Sequence, residues 1–256
     1  MCIIFVAYHY HPDYRLIVAA NRDEFYSRPT EPAHFWRDQP AVLAGRDLEQ
    51  MGTWLGITTS GRLAALTNFR NPNENKKNKQ SRGHIVRDFL TGQKPPDEFL
   101  IELQSKREKY QGFNILISDH TSLFYYSNVE NEIKPLKPGL YGLSNHLLDT
   151  RWPKVQKGKK QLEQLLKMDK PVDEEDLFRM LRDDEPAPKE TLPNTGIGKE
   201  LEEKLSSIFI KTPDYGTRCS TVIIIDSAGK VRFIERTFPV SENNERRYEF
   251  HIRQAR

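Results

Sequence analysis

The reactive chemistry of this chain starts at its second residue. Cys2 follows Met1 and opens the apolar run Ile3-Ile4-Phe5-Val6-Ala7. Methionine aminopeptidases remove Met1 when the next residue is small, as cysteine is. The mature chain would then carry a thiol and a free α-amine on one residue. Such an amine titrates at about 7.7–8.0. Its neutral fraction can take the thiol proton, so Cys2 would supply both nucleophile and base. The plain alternative is a small apolar residue at the start of a buried strand.

Other reactive groups are sparse. Cys2 and Cys219 are the two cysteines of the chain. Two thiols make no disulfide framework, which points to a reducing, cytoplasmic setting. His9 and His11 flank a turn with no third ligand in register. Catalytic zinc needs three protein ligands, so no metal is expected. A net charge of +3 over 256 residues is too small to imply nucleic acid. No apolar run is long enough to span a bilayer. The first run breaks at His9-Tyr10-His11-Pro12 without a basic segment before it, so no secretory signal is read. Lys157-Gly158-Lys159-Lys160 reads as a solvated helix face, with a phosphate patch as the minor reading. His146 either lines a pocket or sits on a surface loop. Leu192-Pro193-Asn194-Thr195-Gly196 matches a sorting pattern, but lacks the apolar span and basic tail that sorting needs, and reads as a loop.

The elements around Cys2 follow from periodicity. Cys2 to Tyr8 is apolar on both alternating faces, which predicts a strand covered on both sides. Pro12-Asp13 marks a turn and Leu16 to Ala20 the return strand. Pairing Tyr8 with Arg15 puts Cys2 opposite Asn21, within two residues. Asn21-Arg22-Asp23-Glu24 is then the neighbour of the first strand residue, either as site residues or as solvated charges ending a strand. A second hairpin spans 53–59 and 62–69. The polar segment 71–81 reads as a mobile loop. Helices are expected from Ser81 to about Leu90, over 99–106, from Asp149 or Thr150 to Leu166, from Asp173 onward, and over 200–208. Further strands are expected at 113–117, 123–126, 140–144, 221–225 and 231–238, with an edge strand at 248–252. Segment 183–198, rich in proline and glycine, reads as a loop. Sheets apolar on both faces with helices gathered mid-chain predict a layered α+β fold, as one domain over residues 1–256.

Ala20-Asn21-Arg22-Asp23-Glu24-Phe25 carries the signature of the NRDE family, also called the transport and Golgi organization protein 2 family, which the chain resembles along almost its whole length. Further matching blocks are Gly52-Thr53-Trp54-Leu55-Gly56, Leu66-Thr67-Asn68-Phe69-Arg70, Ser81-Arg82-Gly83, Gly142-Leu143-Ser144-Asn145 and Tyr215-Gly216-Thr217-Arg218-Cys219-Ser220-Thr221. That family is similar to N-terminal-nucleophile hydrolases. The resemblance implies a four-layer αββα sandwich and a site like that of choloylglycine-hydrolase-like amidases, which also start Met-Cys. On those residues Cys2 looks like the nucleophile, Asp23 like the acid near the α-amine, Arg22 and Arg218 like site arginines, and Asn68 and Asn145 like oxyanion-side donors. Arginines near a thiol populate the thiolate, and an asparagine amide suits a tetrahedral oxyanion. In those amidases the arginine and aspartate are usually separated by two residues, whereas Arg22 and Asp23 are adjacent. Adjacent strand residues face opposite ways, so at most one points at Cys2 unless the strand has ended. If Arg218 faces the site, Cys219 faces away as a core thiol.

Two functions follow as expectations. The first is a cysteine amidohydrolase or thioester hydrolase acting on a small acyl substrate through acyl-Cys2, with no cofactor required. The second, implied by the resemblance, is a non-catalytic carrier of haem or of acyl-CoA or lipid on the same fold. Each of the named residues also has a plain reading: Asn68 and Asn145 as turn or cap residues, Arg218 as an ion-pair partner. Oligomeric state is not legible.

Overall fold

The computed structural model describes residues 2–75, 77–239 and 244–253. Removal of Met1, expected from the sequence, lies outside them. In chain order, β1 (Cys2–His11) and β2 (Tyr14–Phe25) form the opening hairpin. Then come β3 (Thr30–Phe35), β4 (Val42–Asp47), β5 (Leu55–Thr58) and β6 (Leu63–Asn68). Helices α1 (Gly83–Thr91) and α2 (Pro96–Ser105) precede β7 (Phe113–Ser118), β8 (Leu123–Ser127), β9 (Glu132–Pro135) and β10 (Gly139–Leu143). Helices α3 (Pro153–Leu166), α4 (Glu174–Leu181) and α5 (Lys199–Lys204) precede β11 (Tyr215–Asp226), β12 (Lys230–Thr237) and β13 (Glu245–His251).

The strands make two antiparallel sheets, ordered β10-β1-β2-β11-β12-β13 and β3-β4-β5-β6-β7-β8-β9. Three apolar layers hold them. Ile4, Val6, Tyr8, Leu16, Val18 and Ala20 point between the sheets against Leu43, Ile57, Ala65 and Leu116. Ile3, Phe5, Ala7, Ile17 and Ala19 point the other way, onto Val155, Leu162 and Leu177 of α3 and α4. Ile85, Phe89, Leu100 and Leu103 of α1 and α2 cover the far face of the second sheet. The result is an αββα sandwich. The strand read as covered on both sides is covered by a sheet and by helices.

The strands that sequence reading left out are β3, β4 and β9. Segments 30–35 and 42–47 contain Pro32 and Gly45, which weaken a strand signal. Helix α3 starts later than expected. Pro153 takes its first turn, the position proline favours. Asp149 instead adopts φ 57° and accepts a hydrogen bond from the Gly142 N–H (2.8 Å). Helix α5 is shorter than the expected 200–208. Ser206 and Ser207 end it, their hydroxyls donating to the carbonyls of Glu203 and Phe209. Within the described residues no helix is long and apolar enough to cross a membrane.

One reading of α3 is overturned. Gly158 is buried, and a Cβ there would run into the Phe5 ring. It is therefore the contact that lets α3 approach β1, not part of a solvated face. In an exposed helix interior, glycine to alanine stabilises by about 1 kcal/mol. Gly158→Ala is expected to destabilise instead, by about 1–3 kcal/mol of overpacking. Urea denaturation of the two proteins checks the sign.

Candidate active site

The site is built at the paired ends of β1 and β2. Cys2 pairs with Arg22 and Ile3 with Asn21. The expected partner was Asn21. The hairpin register pairs Tyr8 with Leu16 where Arg15 was expected, which shifts the partner of Cys2 by one residue. Directly paired residues share a face, so Cys2 and Arg22 continue the stripe of Ile4 and Ala20 toward the gap between the sheets. The two apolar layers thus settle how adjacent Arg22 and Asp23 divide. Arg22 shares the thiol's face, and Asp23 alternates to the face of Asn21, while still lining the same cavity at the strand end.

Cys2 is half-buried and lines an open cavity of about 340 Å³. Arg22 lies over the Trp54 ring, 4.2 Å from its centroid, and Nη1 donates to Thr30 Oγ1 at 3.2 Å. The Trp54 ring passes over Gly45, where a Cβ would collide with it. Burial and, after it, the charge of Asp23 push the Cys2 thiol up, opposed by the Asp23 backbone N–H and by Arg22. The cavity wall is strongly charged. It includes Arg28, whose Nη2 pairs with Asp47 Oδ2 at 2.7 Å, together with Lys79, Arg82 and Asn68.

Asp23 is buried and accepts from Thr217 Oγ1 at 2.7 Å. The Tyr215 hydroxyl donates to its backbone carbonyl at 2.8 Å. Burial raises the Asp23 carboxyl, while Lys154, Thr217 and Arg22 act to keep it ionised. Lys154 is buried on α3, and burial lowers it to about 8.

The two asparagines divide. Asn68 ends β6 and lines the cavity. Asn145 is buried and outside the lining. Its Nδ2 donates to the Asn68 backbone carbonyl at 2.9 Å, and its own carbonyl accepts from the Arg70 N–H at 2.7 Å. Ser144 Oγ donates to the Cys2 carbonyl at 3.2 Å. The block Gly142-Leu143-Ser144-Asn145 therefore ties the first strand of one sheet to the end of β6 in the other. His146 is also outside the lining. Its ring lies tilted against those of Phe69 and Trp152.

Arg218 does not line the cavity either. A bulge in β11 lets Thr217 pair with Asp23 and Cys219 with Arg22, leaving Arg218 as the extra residue. Its Nη1 donates to the carbonyls of Phe25 (2.8 Å) and Arg28 (3.0 Å), so it fixes the turn after β2. The bulge also moves Cys219 onto the inter-sheet face beside Arg22, rather than away from it. Cys219 remains a buried thiol, next to the buried carboxyl of Glu235.

Sequence reading did not single out Arg82, Lys79, Trp54 or Lys154. Trp54 and Arg82 lie inside quoted blocks, and those blocks meet: the Thr53 N–H donates to the Gly83 carbonyl at 3.1 Å. A Cβ on Gly52 would strike the Gly83 backbone. The signal for Lys154 was its spacing, since 154, 158 and 162 form one i, i+4 stripe whose other members are buried.

Comparison with known proteins gives the family and the fold of the chain. The profile of the family described as "Transport and Golgi organisation 2" matches residues 1–239. A Bos taurus transport and Golgi organization protein 2 homolog is 39% identical, with 93% of each chain covered. The Homo sapiens homolog is 37% identical, covering 98% of this chain and 99% of that one. Two solved structures share the fold at low identity. One is a Caenorhabditis elegans N-acylethanolamine-hydrolyzing acid amidase ortholog, with TM-score 0.51 and 12% identity, covering 87% of this chain and 92% of that one. The other is a mutant conjugated bile acid hydrolase from Clostridium perfringens, with TM-score 0.53 and 11% identity, covering 98% and 92%. The fold is that of N-terminal-nucleophile hydrolases. With nearly its full length matched at these identities, the chain belongs to the Transport and Golgi organisation 2 family.

Proposed function

We propose that this chain hydrolyses a small acyl amide or acyl thioester, with Cys2 as nucleophile. The observation that carries the reading is the pairing of Cys2 with Arg22 on the inter-sheet face, at the wall of a charged cavity. The likeness of the fold to amidases supports it, although fold alone does not assign an activity.

In this mechanism Met1 has been removed, and the neutral α-amine of Cys2 takes the Sγ proton. The thiolate adds to the acyl carbon, and the carbonyl pair moves onto oxygen. Arg22 stabilises the thiolate, and the amide of Asn68, a residue of the cavity wall, donates to the oxyanion. Collapse breaks the C–N or C–S bond, and the ammonium returns its proton to the leaving group. Water, deprotonated by the same amine, then attacks acyl-Cys2, releases the acid and restores the thiol. Asn145 acts by holding Asn68, and Arg218 by holding the β2–β3 turn. Neither touches the reacting atoms.

The carrier reading has less support. Of the cavity lining, Trp54 and Leu66 are the large apolar side chains, and no described histidine lines it. A haem needs an apolar slot and an axial ligand, and here Cys2 is the one soft donor, so no step runs through that group. An acyl-CoA or lipid chain meets the same polar wall. The test is release of free amine or thiol from a panel of short acyl amides and thioesters. Turnover supports hydrolysis. Stoichiometric binding of acyl-CoA or haem with no turnover of any panel member supports a carrier.

A further inference from the structure

The wall of the Cys2 cavity is divided by charge. One side is built from the strand ends. There Asp47 and Glu49 share Arg28, at 2.7 and 3.4 Å from its guanidinium, and Glu24 Oε1 accepts from the Phe25 N–H at 2.9 Å. The acids of that side are already met by a cation or a donor. The other side is the segment 79–82, which brings Lys79 and Arg82 to the same cavity as Cys2.

Sequence reading ran a mobile loop through residue 81, but this end of it is pinned along residues 108–112. Lys79 Nζ donates to the Glu108 carbonyl at 2.7 Å. The Gln80 N–H donates to the Lys109 carbonyl at 2.8 Å, and Arg82 Nη1 to the Gly112 carbonyl at 3.0 Å. The Gly112 carbonyl also accepts from the Phe69 N–H at 2.9 Å. Arg82 is thus anchored one residue beyond Asn68, itself on the cavity wall. Both anchors of the two cations are neutral carbonyls, and among the described residues neither side chain is in an ion pair. Glu74 Oε1, from the same segment, accepts from the Gly112 N–H at 2.6 Å, and Glu74 lies outside the lining. Lys79 and Arg82 are half-buried. A guanidinium carries five N–H donors in a fixed fork that matches a carboxylate, and here one nitrogen is used by the anchor.

We propose that Arg82, together with Lys79, is the anion subsite of the Cys2 cavity, so that the acyl amide or thioester attacked by Cys2 carries an anionic group, for which a carboxylate fits the fork of Arg82. This names the substrate class of the proposed hydrolysis and rests on that reading. An anion turned the other way would meet Glu24, Asp47 and Glu49, so the divided wall favours one orientation of the substrate.

Alkylation of Cys2 by matched anionic and neutral reagents tests the subsite without turnover. N-iodoacetylglycine and N-iodoacetylglycinamide differ by one charge, and the corresponding β-alanine and 4-aminobutyrate pairs move that charge outward. Rates on the full-length protein are read at the Cys2 peptide by mass, so that Cys219 does not contribute. The ratio of anionic to neutral rate cancels any change in thiol reactivity, which both reagents feel alike. For at least one spacer the ratio is expected to exceed that of cysteinamide by about tenfold or more, in line with a charge-assisted hydrogen-bonded pair. Arg82→Gln removes the charge and keeps an amide donor for the Gly112 carbonyl. It is expected to lower the ratio about tenfold, and Lys79→Met about threefold. Wild-type ratios no higher than those of cysteinamide at every spacer overturn the proposal. So does an Arg82→Gln ratio equal to wild type in protein of unchanged circular dichroism. If Arg82→Gln does not fold, Lys79→Met is read in the same way. An acyl panel without turnover counts against the proposed function and leaves these ratios readable, whereas turnover with no anion preference at Cys2 counts against the subsite alone.

Discussion

Replacing Cys2 by alanine is expected to lower kcat/KM by about 10³-fold or more on any amide or thioester the protein turns over, with little loss of stability. Removing the nucleophile of a covalent mechanism leaves only the catalysis that binding and oxyanion stabilisation provide. The side chain is small, half-buried and at a cavity wall, so truncation opens no sealed void. Cys2→Ser retains an oxygen nucleophile, but a hydroxyl is a much weaker one near neutral pH. It is expected to fall between the two. Steady-state kinetics with thermal melts of the three proteins separates a chemical loss from a folding loss. Activity retained in Cys2→Ala would place the chemistry elsewhere.

Arg70→Met is expected to be among the most destabilising single changes. Arg70 and Glu202 are 7% and 3% exposed at the side chain and 2.6 Å apart. The guanidinium also lies over Trp152, 4.8 Å from the ring centroid, while the Arg70 N–H holds the Asn145 carbonyl. Removing the cation leaves Glu202 as a buried charge without its ion-pair partner. Breaking a buried pair in this way costs about 3–5 kcal/mol. For a chain of this size, each kcal/mol is worth roughly 2–4 °C of Tm. The double variant Arg70→Met with Glu202→Leu is expected to recover much of that loss, because both desolvation penalties then disappear. A double variant no more stable than Arg70→Met would show that the loss comes from packing on Trp152 instead of from charge. Because this pair sits behind Asn145 and Asn68, the single variant is also expected to lower activity at temperatures below its melt.

What could be read in the sequence was whatever depends on local periodicity. The two-faced apolar pattern of β1 shows that both sides are covered, and the hairpin count brings residues 21–24 to Cys2 within one position. Three features escaped for identifiable reasons. A β-bulge is an insertion of one residue in a pairing, and nothing in Thr217-Arg218-Cys219 announces it. Without it Arg218 alternates onto the site face; with it Cys219 does. The role of Asn145 depends on where Asn68 lies in the opposite sheet, a contact across 77 positions. Lys154 was visible on the apolar stripe of α3, but the neighbouring lysines make the segment look like a solvated face. Helix α3 turns Lys157 outward to Asp183 and Glu185, and Lys154 inward to Leu205. Within one basic segment, the 3.6-residue period decides which lysine meets water.

The most direct test of the central claim is intact and peptide-level mass of the purified protein, before and after brief exposure to activated acyl amides and thioesters. The chain is expected to begin at Cys2, with Met1 absent, and to gain one acyl mass confined to the Cys2 peptide and lost on further incubation in water. Fully retained Met1 in protein that turns substrate over would contradict the self-base mechanism. An acyl adduct on any other residue, with Cys2 unmodified, would contradict the assignment of the nucleophile.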